Sequence, residues 1–155
     1  MEKELRVRPI KNGTVIDHLT AGLALKVVKI LGIDETIKEV VSIVMNVSSE
    51  SMGKKDIVKV ENRELNSDEV DKISLIAPKA TINIIRDHEI VEKHRVSLPD
   101  TVEEFIECPN SKCITNTNEP IKSKFKVINE KEVKLKCEYC QRTIKGEITG
   151  YIKKP

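Results

Sequence analysis

Aromatic side chains are nearly absent from this sequence, which has no Trp, two Phe and two Tyr in 155 residues. A core must therefore be assembled from Ile, Val and Leu, and the flat rings on which single-stranded nucleic acid stacks are missing. A dominant charge is missing too. Lys and Arg number 27 against 25 Asp and Glu, a formal net charge of +2, which excludes the strongly basic footprint of a general nucleic-acid binder. No apolar run approaches the roughly 20 residues of a membrane span, and no apolar leader follows Met1. Those absences predict a cytoplasmic chain with neither membrane nor nucleic acid as partner. Catalytic signatures are lacking as well. His18, His88 and His94 have no motif around them, and no G-x-G-x-x-G occurs. Near Gly53-Lys54-Lys55 the first glycine of a phosphate loop is replaced by Ser48, and its Ser/Thr by Lys55. This is not the grammar of an enzyme.

What the sequence does have is four cysteines in two short pairs. Cys108 and Cys113 are separated by four residues, Cys137 and Cys140 by two. In a reducing compartment such thiols bind metal rather than form disulfides, and two short loops deliver four thiolates to a tetrahedral zinc ion with no position left open for water. Iron is the closest rival, because a four-sulfur tetrahedron suits both metals. A redox role for Cys137 and Cys140 would need a helix start there, whereas the surrounding residues alternate as a strand. A structural Zn2+ is the expectation. Two rival functions stay open at this point. A nucleic-acid-binding zinc-ribbon protein would need a basic, aromatic-bearing face, and a small metalloenzyme would need an open metal position.

The rest of the chain divides near residue 98. Residues 1–98 alternate strand and helix. Leu5, Val7 and Pro9 begin an extended stretch that passes the Asn12-Gly13 turn signal into Thr14-Val15-Ile16-Asp17. Thr20 is placed to cap a helix reaching about Leu31, with Leu23, Val27, Ile30 and Leu31 as its buried stripe and Gly32 as its stop. The β-branched run at 39–47 reads as a buried strand, and residues 57–60 as another. Asn66 with Glu69 forms a capping box before a helix that buries Val70, Ile73, Ile76 and Ala77 and ends at Pro78. Residues 80–85 and 89–96 supply further strands. Two strand–helix–strand units of this length predict an α+β, ferredoxin-like domain with both helices on one face of an antiparallel sheet, and its apolar strand edges invite a second copy. Residues 99–155 lose helical periodicity, apart from a turn at 101–104. Short apolar runs at 105–106, 125–128, 133–135 and 144–152 make a small all-β, zinc-ribbon-like domain that needs a metal to hold together. The lysine-rich stretches Lys122-Ser123-Lys124 and 131–136 read as solvated faces. On a strand, Lys55 and Lys59 would share one face about 13 Å apart, which suits an anion, and Asp17 with His18 closes the first extended stretch.

Five separated stretches carry a resemblance: Gly13 to His18; Met52 to Asp56 with Lys59 to Asn62; Ala77 to Thr81 with Asn83; Cys108 to Ile114; and Leu135 to Cys140. Together, over residues 5–140, they resemble the aspartate carbamoyltransferase regulatory chain. The resemblance implies a non-catalytic subunit with a nucleotide-binding allosteric domain (1–98) and a zinc domain (99–155) that contacts the catalytic chain. It implies CTP as inhibitor and ATP as activator in pyrimidine biosynthesis. It also implies a regulatory homodimer bridging catalytic trimers in a dodecamer of six catalytic and six regulatory chains. Carried over residue by residue, Asp17 and Lys59 would contact ribose and base, and Lys93 the triphosphate. His18, Lys55 and Asn83 would be further pocket positions, with Ile10, Ile85 and Ile90 lining the base site. Three positions depart from better-studied members: Glu4 stands for a lysine, Arg8 for an acidic residue and His88 for an aromatic.

Overall fold

The computed structural model describes residues 9–129, 132–146 and 148–153. The expected extended stretch at Leu5 and Val7, the departures at Glu4 and Arg8, and Lys131 of the second lysine-rich stretch lie outside the described residues. Strands β1 (Gly13–Thr20), β2 (Val41–Ser49), β3 (Gly53–Glu61), β4 (Thr81–Arg86) and β5 (Glu89–Arg95) form one sheet in the order β2-β3-β1-β4-β5. Every neighbouring pair is antiparallel. Helices α1 (Ala24–Ile30) and α2 (Ser67–Ile76) complete the ferredoxin-like arrangement, and β5 adds a fifth, exposed edge strand.

Period-2 alternation sorts the side chains. On β3, Asp56, Val58 and Val60 are buried beneath the helices while Lys55, Ile57, Lys59 and Glu61 are only half-buried. Ile16, Leu19, Val27, Leu31, Val58, Val60, Ile73, Ile82 and Ile84 make the helix-side core. Gly13 is required where β1 meets β3, since its φ is +142° and a Cβ there would lie 2.1 Å from the Val60 carbonyl oxygen.

Several local expectations are corrected. Thr20 does not cap α1. The helix starts at Ala24 behind Leu23, which makes no side-chain bond, and the Gly22 and Ala24 amides instead donate to the buried Asp56 carboxylate at 2.9 and 3.0 Å. A carboxylate brought in from β3 answers the positive end of the helix better than a local hydroxyl. The 39–47 run is not a buried strand. It becomes β2, an edge, with Ile43 and Met45 each 39% exposed; β-branched residues suit any pleated strand, central or not.

The capping box is as expected, with Asn66 Oδ1 accepting from the Glu69 amide at 2.9 Å and Glu69 Oε1 accepting from the Asn66 amide at 3.2 Å. Asn66→Ala should cost about 1 kcal/mol, read as a lowered midpoint in urea denaturation with an unchanged slope.

The second sheet orders β6 (Thr101–Glu103), β7 (Lys124–Asn129), β8 (Val133–Cys137) and β9 (Thr143–Lys145), all antiparallel. The turn expected at 101–104 is strand β6 instead, zipped to β7 through Val102 opposite Phe125. Among the described residues of the 144–152 run only the start is strand, a 3₁₀ turn follows at Thr149–Tyr151, and Ile106 meets Ile152 in an isolated bridge. Ser123 is not solvated; it is buried and its hydroxyl donates to the Ile106 carbonyl at 2.6 Å. Phe125, Leu135, Val102, Ile106, Ile144 and Ile148 form a second core around the cysteines. Leu75 of α2, 2% exposed, packs into this second core, while Ile73 and Ala77 of the same helical region pack into the first. No helix among the described residues is long and apolar enough to cross a membrane.

Candidate metal centre and ligand face

The four cysteines converge. Cys108 and Cys113 come from the loop after β6, Cys137 ends β8, and Cys140 lies in the turn before β9. Their sulfurs all lie within 4.8 Å of one another, with Cys108 to Cys140 at 3.5 Å and Cys113 to Cys137 at 3.8 Å. A tetrahedron with metal–sulfur bonds of about 2.3 Å has edges of about 3.8 Å, so the cage fits. Each sulfur also receives the backbone N–H two residues on, from Asn110, Thr115, Tyr139 and Arg142 in turn. Hydrogen bonds of this kind favour the thiolate. Burial, aided by the neighbouring thiols, pushes Cys108 up to about 12. Cys140 is also pushed up by burial, but the Arg142 amide and Asn110 side chain outweigh that and hold it at about 6. Thiols this close cannot all ionise without a cation between them, and a divalent ion resolves that conflict. With four sulfurs in the shell, the centre is a structural staple.

The other sheet has a second face, open in that no described helix covers it, and the sequence-predicted strand residues collect there. Pairing places Lys59 opposite Val15, Val15 opposite Asn83, and Asn83 opposite Lys93. Residues directly opposite in an antiparallel pair share a face, so two lysines flank Asn83 in one cross-strand row about 14 Å long at the backbone. Asn83 is 8% exposed, and its Oδ1 is buried without a hydrogen-bond partner among the described residues. A buried carbonyl oxygen left in this way needs a donor.

To one side of this row, along the strands, the face is apolar. Ile85 pairs with Ile90, and Ile10 and Ile85 are both 7% exposed yet outside the helix-side core. The adjoining hairpin turn is tied down by the His88 amide donating to the Lys11 carbonyl at 2.9 Å and the Asp87 amide donating to Asn12 Oδ1 at 3.1 Å. To the other side it is polar. Asp17 pairs with Lys55 at 2.9 Å and accepts from the His18 amide at 2.6 Å, while His18 Nδ1 lies 3.0 Å from Thr81 Oγ1. Arg95 stands opposite Thr81, which stands opposite Asp17; the sequence reading missed this guanidinium, and counting two residues beyond Lys93 on the same strand would have found it.

Comparisons with known proteins cover both sheets. Residues 5–97 match the family model described as aspartate carbamoyltransferase regulatory chain, allosteric domain, and residues 100–149 match that chain's metal binding domain. The aspartate carbamoyltransferase regulatory chain of Methanothrix thermoacetophila is 57% identical over 152 residues, covering 98% of this chain and 99% of the relative. That of Natronomonas pharaonis is 53% identical over 97% of both chains. That of Methanothermobacter thermautotrophicus is 54% identical over 93% of this chain and 92% of the relative.

Proposed function

The chain belongs to the aspartate carbamoyltransferase regulatory chain family, and from that premise we propose that it is the subunit through which CTP inhibits, and ATP activates, carbamoyl transfer by associated catalytic trimers in the cytoplasm. It is a regulatory subunit rather than a catalytic one. The observation that carries the effector assignment is the row Lys59–Val15–Asn83–Lys93 with its buried Asn83 oxygen, unpaired among the described residues. Lys93 at one end of the row suits the triphosphate, Lys59 at the other suits the ribose and base, and Asn83 Oδ1 suits a donor on either. Ile10, Ile85 and Ile90 offer an apolar seat for the base, and Asp17, His18 and Lys55 a polar rim.

The metal proposed for Cys108, Cys113, Cys137 and Cys140 is Zn2+, which supplies folding free energy and no Lewis-acid step. The zinc domain is proposed to dock the catalytic chain, with residues 1–98 pairing as a homodimer and six regulatory chains bridging two catalytic trimers. A tenfold difference in nucleotide affinity between two quaternary states supplies about 1.4 kcal/mol per site, and six sites acting together bias that equilibrium by about 8 kcal/mol.

Calorimetric titration of the intact chain tests the effector site. Lys59→Ala and Lys93→Ala should each weaken CTP and ATP binding about tenfold, the scale of one charge-assisted hydrogen bond. Mixing the chain with catalytic trimers and assaying carbamoyl transfer tests the role. Rates unmoved by either nucleotide would refute it.

A further inference from the structure

Asp56 never faces the open side of the sheet, yet it sits behind the polar end of that face. Its side chain is 0% exposed beneath α1. Two irregularities flank it. Between Ile16 and Leu19 the pairing of β1 with β3 slips, so Asp17 and His18 together stand against Ile57; between Val44 and Val47 the pairing of β2 with β3 slips as well. His18 at φ 56° and Asn46 at φ 60° occupy the left-handed region, which non-glycine residues hold only when their surroundings fix them. The Asp56 carboxylate bonds inside the β2 bulge and to the turn that follows β1. Oδ1 accepts from the Asn46 amide at 2.9 Å, inside the β2 bulge. Oδ2 accepts from Gly22 and Ala24, just past the β1 bulge, at 2.9 and 3.0 Å.

The β1 bulge matters for the ligand face because side chains alternate along a strand. Without the extra residue, Asp17 and His18 would point to opposite faces. With it, both are half-buried on the open side, where Asp17 meets Lys55 and His18 meets Thr81. Burying a carboxylate costs more than burying an alkyl group of the same size; capping α1 occupies only Oδ2, and the Oδ1 bond into the β2 bulge goes beyond what a cap requires.

We propose that Asp56 is a positioning residue of the effector face, registering Asp17, His18 and Lys55 to one another and tying them to the edge strand β2. This rests on the effector-binding reading given above. Asp56→Asn places an amide N–H against either the Asn46 amide or the Gly22 and Ala24 pair, so either the β2 bulge or the turn after β1 loses its anchor. In the intact chain, at a temperature where circular dichroism shows the variant folded, Asp56→Asn should bind CTP and ATP at least tenfold more weakly than the wild type. Ile73→Val, in the same core but away from both bulges, should lower stability and leave both affinities unchanged. A folded Asp56→Asn chain whose affinities stay within twofold of wild type overturns the proposal.

Should that variant fail to fold, hydrogen exchange on the wild type decides. Saturating CTP should slow the Gly22, Ala24 and Asn46 amides at least tenfold while leaving Leu135 in the other sheet unchanged, and no slowing at the three amides overturns the proposal. A wild type that binds neither nucleotide sinks the effector reading itself, and this inference with it, a result plainly different from a binding wild type with an indifferent variant.

Discussion

Removing the metal from the intact chain should unfold strands β6 to β9 while leaving the five-stranded sheet folded. The second core is small, built on Phe125, Leu135, Ile106, Val102 and Ile144, and the four cysteines are part of it. Binding of structural zinc by comparable sites supplies about 10–16 kcal/mol at neutral pH, as much as or more than the whole net stability of an ordinary domain, about 5–15 kcal/mol. Cys113→Ser should behave like chelation, because Cys113 is buried and its sulfur faces Cys137 across the cage. The measurement is a backbone amide spectrum with and without chelator, paired with metal analysis. Dispersion should collapse for residues 101–145 and persist for 13–95. Each bound thiolate has given up a proton, so acidification weakens the metal and brings the same collapse. A tail that stays dispersed with no metal present contradicts the expectation outright.

Leu75→Ala should separate the two halves of the molecule without harming either site. Leu75 belongs to α2, a helix of the first sheet's layer, but packs among Val102, Ile106, Phe125, Leu135 and Ile148 in the second core. Truncating so buried a leucine costs about 2–5 kcal/mol, depending on how far the cavity collapses. The loss falls on the contact between the units. Nucleotide affinity and metal content should therefore stay near wild type, while regulation of carbamoyl transfer by either nucleotide falls sharply in the reconstituted complex. Leu25→Ala, at a position 58% exposed, should change stability by no more than about 0.5 kcal/mol. Regulation that survives Leu75→Ala intact would mean that coupling travels by another route.

Much of the architecture was legible because it is written locally. The Asn66–Glu69 capping box, the stop at Pro78 and the alternation of Val58 and Val60 with Lys59 each depend on neighbours within a few residues. What was illegible depended on partners far along the chain. Leu75 lies off the stripe marked by Ile73 and Ala77, so helical periodicity assigns it to solvent; only the second core, 25 or more residues on, gives it a destination. Thr20 looked like a cap because the true acceptor, Asp56, is 34 residues from Gly22. The run at 39–47 reads the same whether the strand is central or at an edge, and only the strand order makes β2 an edge.

By itself the sequence determined which groups are available: four cysteines spaced to hold a metal, strand lysines able to meet an anion, few aromatics and a balanced charge. These follow from residue type and short spacing, which no fold can alter. Only the tertiary structure decided geometry. Cross-strand register set Asn83 between Lys59 and Lys93, a bulge turned Asp17 and His18 to one side, and α2 was shared between two cores, because pairing and packing join residues whose separation along the chain carries no information about their distance in space.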